Sequence, residues 1–138
     1  MKLFLDSSVL LAAAGSTSGA SRVLFLAAQD EGWSLVTSDY CVREAEHNLP
    51  KLGPLATRAW RRTIRPVLAI HSTSVVLDRP LVYRATKDRP VVISALGLQA
   101  DFLLTLDRDD FQDLLGDAIY GLPIRTPGQF LRYQQGSW

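Results

Sequence analysis

An apolar helix pattern followed at once by an apolar strand occupies the stretch from Lys87 to Phe111, KDRPVVISALGLQADFLLTLDRDDF. Val91, Val92, Ile93, Ala95, Leu96 and Leu98 are too continuously apolar for a surface helix, so the pattern predicts a buried one. Pro90 falls in its first turn, where a missing amide donor costs little, and Asp88 stands where an N-cap belongs. After Gly97 to Ala100, the run Phe102 to Leu104 reads as a central strand. Thr105, Leu106 and Asp107 follow at its carboxyl end, where ligands and catalytic groups collect in open α/β sheets.

The other segments alternate in the same way. Lys2 to Leu5 predicts a short strand, and Asp6-Ser7-Ser8 ends it before the buried helix of Val9, Leu10, Leu11 and three alanines. Ala20 to Asp30 predicts an amphipathic helix with Val23, Leu24, Leu26 and Ala27 inward, closed by Gly32. Trp33 to Thr37 is β-prone, and Ser38 caps a helix over Asp39 to Leu49 that carries Glu44 and Glu46 and stops at Pro50. Pro54 to Leu68 predicts a further helix, and Thr73 to Leu77 an edge strand. Phe111 to Leu115 predicts a short helix, Ala118 to Tyr120 and Pro123 to Arg125 short extended pieces, and Pro127 the first position of a terminal helix. Strands alternating with helices predict an α/β fold, a three-layer α/β/α sandwich around a central, mainly parallel sheet, built as a single domain over residues 1–138.

Composition narrows the function classes. A formal net charge of +1 means that bulk charge does not grip nucleic acid, so any such binding comes from a local patch. The single cysteine, Cys41, excludes an internal disulfide and fits a reducing compartment. Met1-Lys2 leads straight into a strand without a secretory h-region, and the apolar runs are too short to span a bilayer. The expectation is a cytoplasmic protein with no membrane partner.

In a parallel sheet, Asp6 and Asp107 arrive at one carboxyl edge, and Asp88 and Glu44 sit on helices that flank it. Two carboxylates about 4 Å apart repel by about 4 kcal/mol at an effective dielectric near ~20, which favours protonation of one of them. A divalent cation removes the conflict. Mg²⁺ and Mn²⁺ take hard oxygen ligands, and Mg²⁺ combines one or two carboxylates with substrate phosphate, which points to phosphodiester hydrolysis.

With these residues in this order, the chain resembles the PIN-domain nucleases, and its size and build are similar to the VapC-type toxins of VapBC toxin–antitoxin pairs. The resemblance spans nearly the whole chain and rests on LFLDSSVLL, LVTSDYCVREAEHNL, KDRPVVISALGLQADFLLTLDRDDF and LPIRTPGQFL. It implies that Asp6, Glu44, Asp88 and Asp107 form the acidic quartet that binds Mg²⁺ or Mn²⁺ and activates water to cut single-stranded RNA. It also implies a cognate antitoxin as partner, with a homodimer left open. Two positions depart from the family's habit: Leu106 stands where a small residue is common, and Lys87 where an acid often precedes the third carboxylate.

Each candidate has a plainer reading beside it. Asp6 and Asp88 could serve as helix caps, Glu44 as a solvated helix residue with Glu46 as its rival, and Thr105 as hydrogen-bonding support. Asp109 and Asp110 compete with Asp107 but look like caps of the following helix. Arg58, Arg61, Arg62 and Arg65 fall within an arc of about 100° opposite Ala56, Trp60, Ile64 and Val67. That face is a solvated surface, a phosphate-contacting strip or a partner site. Two rival functions remain: an inactive RNA- or protein-binding module on the same fold, and an aspartate-based phosphotransfer domain. The second wants another acid next to Asp6 or two residues on, where this chain has Ser7 and Ser8.

Overall fold

The computed structural model describes residues 1–72, 89–111 and 115–136. Asp88, Lys87 and the expected edge strand over Thr73 to Leu77 lie outside the described residues.

At the centre lies β1 (Lys2–Leu5). Successive strand residues point to opposite faces, yet Leu3, Phe4 and Leu5 are all fully buried, so helices cover both faces of the sheet. This is the expected three-layer α/β/α sandwich. Fully burying each such side chain stabilises by roughly 1.5–3 kcal/mol, which pins the next residue, Asp6.

Around β1 stand β2 (Ser34–Ser38), β3 (Ala69–His71), β4 (Phe102–Leu104), β5 (Ala118–Ile119) and β6 (Leu122–Arg125), in the spatial order β3-β2-β1-β4-β6-β5. The pairings β1–β2, β1–β4, β2–β3 and β4–β6 are parallel, and β5–β6 is antiparallel. Tyr120 and Gly121, at φ 50° and 80°, form the two-residue turn between β5 and β6, a geometry whose twist suits a hairpin. From β1 the chain steps outward through β2 to β3, then returns to place β4 on the other side of β1. The carboxyl ends of β1 and β4 are therefore the point where strand order reverses, and a sheet of this kind opens a crevice there.

The helices are α1 (Ser7–Gly15), α2 (Ala20–Glu31), α3 (Asp39–Asn48), α4 (Pro54–Ala59), α5 (Arg89–Gly97), α6 (Arg108–Phe111) and α7 (Pro127–Gly136). In α5 Pro90 is the second residue, and Val91, Val92 and Ala95 are buried, as the apolar run predicts. Thr126 and Gln129 close a reciprocal box before α7: each side chain accepts from the other's amide, at 3.1 and 2.9 Å.

Three expectations need correction. In α2 the inward residues are Ser21, Arg22, Leu24, Phe25 and Ala28, whereas Val23 and Leu26 are 41% and 65% exposed. Arg22 explains the rotation: its Nε donates to the Ala13 carbonyl at 2.6 Å and its Nη2 to that of Ala14 at 3.3 Å, satisfying acceptors at the end of α1. The helix expected from Pro54 to Leu68 is not uniform, because α4 passes into a π turn over Trp60–Ile64 and a 3₁₀ turn over Arg65–Val67. Finally, α6 begins at Arg108, earlier than the predicted Phe111. Asp107 thus holds the N-cap place, its carbonyl accepting from the Phe111 amide at 3.1 Å, and Asp109 and Asp110 lie inside the helix instead of capping it.

Candidate functional site

Asp6 leaves β1 in an extended conformation, φ −70° and ψ 159°, and caps α1. Its backbone is tied to the neighbouring strand, the amide donating to the Leu104 carbonyl at 3.0 Å. The side chain is 3% exposed and accepts three hydrogen bonds: Oδ1 from the Ser7 amide at 2.8 Å, Oδ2 from the Ser8 hydroxyl at 3.0 Å and from the Thr105 hydroxyl at 2.7 Å. Among the described residues no Lys or Arg forms an ion pair with it. Burial pushes the Asp6 carboxyl up from its ordinary range; the three hydrogen bonds pull it down, and the charge of Glu44 pushes it up again.

The β4 end supplies the opposite wall. Thr105 is fully buried, and its hydroxyl, besides donating to Asp6, accepts from the Asp107 amide at 3.1 Å. The Leu106 amide donates to the Ser8 hydroxyl at 3.0 Å. The segment carrying Asp107 is therefore stitched to the first turn of α1 by two hydroxyls, and Asp107 enters the crevice edge partly buried. Leu106 turns outward and is 36% exposed.

Helix α3 brings the third acid. Ser38 caps it through the Cys41 amide at 3.1 Å, and Glu44 reaches α1, where the Ser7 hydroxyl donates to its Oε1 at 3.1 Å. Glu46 points elsewhere: its Oε2 accepts from Trp60 Nε1 at 3.0 Å and lies 3.9 Å from Arg65 Nε. Two residues along a helix turn by about 200°, so the two glutamates cannot share a face. Beneath the acids, the Thr37 hydroxyl donates to the Leu5 carbonyl at 2.7 Å. Burial pushes the nearby Cys41 thiol up to about 12, with the charge of Asp6 adding to it, so this thiol stays protonated and inert.

Asp6, Glu44 and the Thr105–Asp107 segment thus come together, while Asp88 lies outside the described residues. Among the described residues no group of three or more His, Cys, Asp or Glu side chains is close enough to hold a metal alone. The donor chemistry nevertheless fits Mg²⁺ or Mn²⁺, because the crevice offers carboxylate and hydroxyl oxygens, and Mg²⁺ uses one or two carboxylates and keeps waters. Sequence reasoning missed Ser7 and Ser8, which it weighed only as missing acids. The signal was present: serines in the first turn after a capping aspartate are placed to bond side chains there.

No protein-family model matches the sequence, and no curated protein matches it. A solved structure does. One chain in the crystal structure of VapBC2 from Rickettsia felis bound to a DNA fragment from their promoter is similar over 91% of this chain and 98% of that one. The TM-score is 0.61 at 14% sequence identity, a likeness of fold.

A second surface lies at the other end of α1. A cavity of about 480 Å³ runs between Ala14, Arg22, Leu52, Leu55, Arg58 and Arg62, among others. Arg58, Arg61, Arg62 and Arg65 are all exposed, opposite the buried Ala56, Trp60 and Ile64, whereas Val67 is exposed instead of packed. Of the four, Arg65 approaches Glu46. Among the described residues no single helix is long and apolar enough to cross a membrane.

Proposed function

We propose that the chain is a metal-dependent endoribonuclease that cleaves single-stranded RNA, the toxin of a type II toxin–antitoxin pair held down by a cognate antitoxin. The observation that carries this reading is the Asp6 carboxylate, buried at the point where strand order reverses, with Glu44 beside it and no cation paired to it among the described residues. A buried carboxylate with a second acid beside it calls for a cation. The fold shared with a chain of VapBC2 supports the toxin–antitoxin class, to which the sequence motifs also point.

When bound, Mg²⁺ or Mn²⁺ would supply a nucleophile active near neutral pH and offset charge at the scissile phosphate. Asp6 and Glu44 would hold it, with Asp107 and Asp88 as the remaining acids. Ser8 and Thr105 fix the direction of the Asp6 carboxylate. Arg58, Arg61 and Arg62 provide exposed guanidinium groups for RNA phosphates or for acidic side chains of the antitoxin.

Purified protein incubated with single-stranded RNA should cleave it in Mg²⁺ or Mn²⁺ and stop when EDTA is added. Undiminished cleavage in excess EDTA, in a preparation free of other nucleases, overturns the metal mechanism. No cleavage in either metal overturns the enzymatic reading and leaves the binding module.

A further inference from the structure

We infer that Ser7 is a positioning residue that couples the two acids of the crevice, its hydroxyl setting how tightly the site takes a divalent cation. This rests on the metal-dependent reading above. Ser7 is 5% exposed and serves both carboxylates at once: its amide donates to Asp6 Oδ1 at 2.8 Å and its hydroxyl to Glu44 Oε1 at 3.1 Å. The two acids come from different elements, the cap of α1 and the middle of α3, and their side chains meet through this residue.

The two serines divide the work. Ser8 and Thr105 hold the second oxygen of Asp6 and fasten the Leu106–Asp107 segment. Neither reaches Glu44. Glu44 lies on an exposed part of α3, and among the described residues Ser7 is the hydrogen-bond partner of its carboxylate; Asn48 bonds only its backbone carbonyl, at 2.9 Å. A glutamate has three side-chain torsions, so without the Ser7 hydroxyl its head samples solvent and must be ordered again each time a cation binds. Hydrogen-bond partners that orient metal-ligating groups change metal affinity or activity by roughly 10–100-fold when removed.

The test is calorimetric titration of metal-free protein with Mn²⁺, on wild type, Ser7→Ala and Ser7→Thr, with RNA cleavage followed against Mg²⁺ concentration. Ser7→Ala should bind Mn²⁺ at least about 10-fold more weakly, and its cleavage rate should recover at saturating Mg²⁺, which a damaged fold would not do. Ser7→Thr keeps the hydroxyl and should bind as wild type does. If the alanine variant does not fold, Ser7→Cys, close in size and a much weaker donor, should show the same loss. Equal Mn²⁺ affinity in wild type and the variants lacking the hydroxyl overturns the role of Ser7 and leaves the proposed function standing. A wild-type chain that takes up no Mn²⁺ overturns both.

Discussion

The Thr105 hydroxyl meets the Asp6 carboxylate at 2.7 Å across 99 residues of sequence. The contact exists because β4 returns to lie beside β1, with Leu5 opposite Leu104, so the residues leaving the two strands face each other at the strand-order reversal. Thr105→Val keeps the shape but leaves Asp6 Oδ2 with one donor fewer and the Asp107 amide without its acceptor. It should destabilise by about 1–3 kcal/mol, whereas Thr105→Ser should stay close to wild type. Denaturant midpoints for both variants check this.

Asp6 also makes stability depend on pH. Its folded-state pKa is raised above the ordinary 3.8, chiefly by burial, so the folded chain holds the proton to higher pH than the unfolded chain does. The resulting contribution to stability is present in full below 3.8 and is lost as pH rises through the folded-state value. Asp6→Asn stays neutral throughout. In metal-free buffer its melting temperature relative to wild type should climb over that rise and then level off, and a difference that does not change with pH would contradict the burial argument.

Much of the fold, and the placement of Asp6 and Glu44 near one another at the sheet's carboxyl edge, was legible in the sequence, and the failures have physical causes. The continuous apolar runs of β1, β4 and α5 mark elements whose main apolar residues pack into the core, and the place of Asp6 is set by where β1 ends. The face of α2 was misread because hydrophobicity placed Val23 and Leu26 inward, whereas Arg22 turns in to satisfy carbonyls at the end of α1. No local pattern announces such a long-range cap. The π turn at Trp60 was equally hidden: an extra residue in one turn leaves the apolar spacing of Trp60 and Ile64 intact while rotating the residues beyond Ile64, and Val67 ends up 49% exposed. Asp107 looked like a strand-end residue and proved to hold a helix N-cap place as well, so its two roles overlap.

The choice between the two glutamates is now a geometric prediction. Glu46→Gln weakens, and Glu46→Ala removes, the bond to Trp60 Nε1 and the approach to Arg65, so they should cost about 1 kcal/mol of stability and leave metal binding unchanged. Glu44→Gln should do the reverse, with weak Mn²⁺ uptake and a wild-type melting temperature. Parallel calorimetry and thermal melts read both, and a Glu46→Gln variant that loses metal while Glu44→Gln keeps it would show that α3 is turned.

Charge reversal of Arg58, Arg61 and Arg62 to Glu should weaken binding of RNA or of the antitoxin. The loss should be largest at low salt, because phosphate contacts release counterions. Fluorescence anisotropy at two salt concentrations measures it. Unchanged affinity for both ligands at low salt makes this arginine face a solvated surface.

The most direct measurement is single-turnover cleavage of a labelled single-stranded RNA in Mg²⁺ by wild type, Asp6→Asn and Asp107→Asn, purified side by side. Asparagine caps a helix as well as aspartate does, so both variants should stay folded. The account predicts cleavage by wild type and a loss of at least about 10-fold in each variant, the lower end of what losing even an orienting partner of a metal ligand costs. Asp6→Asn cleaving as fast as wild type would contradict it.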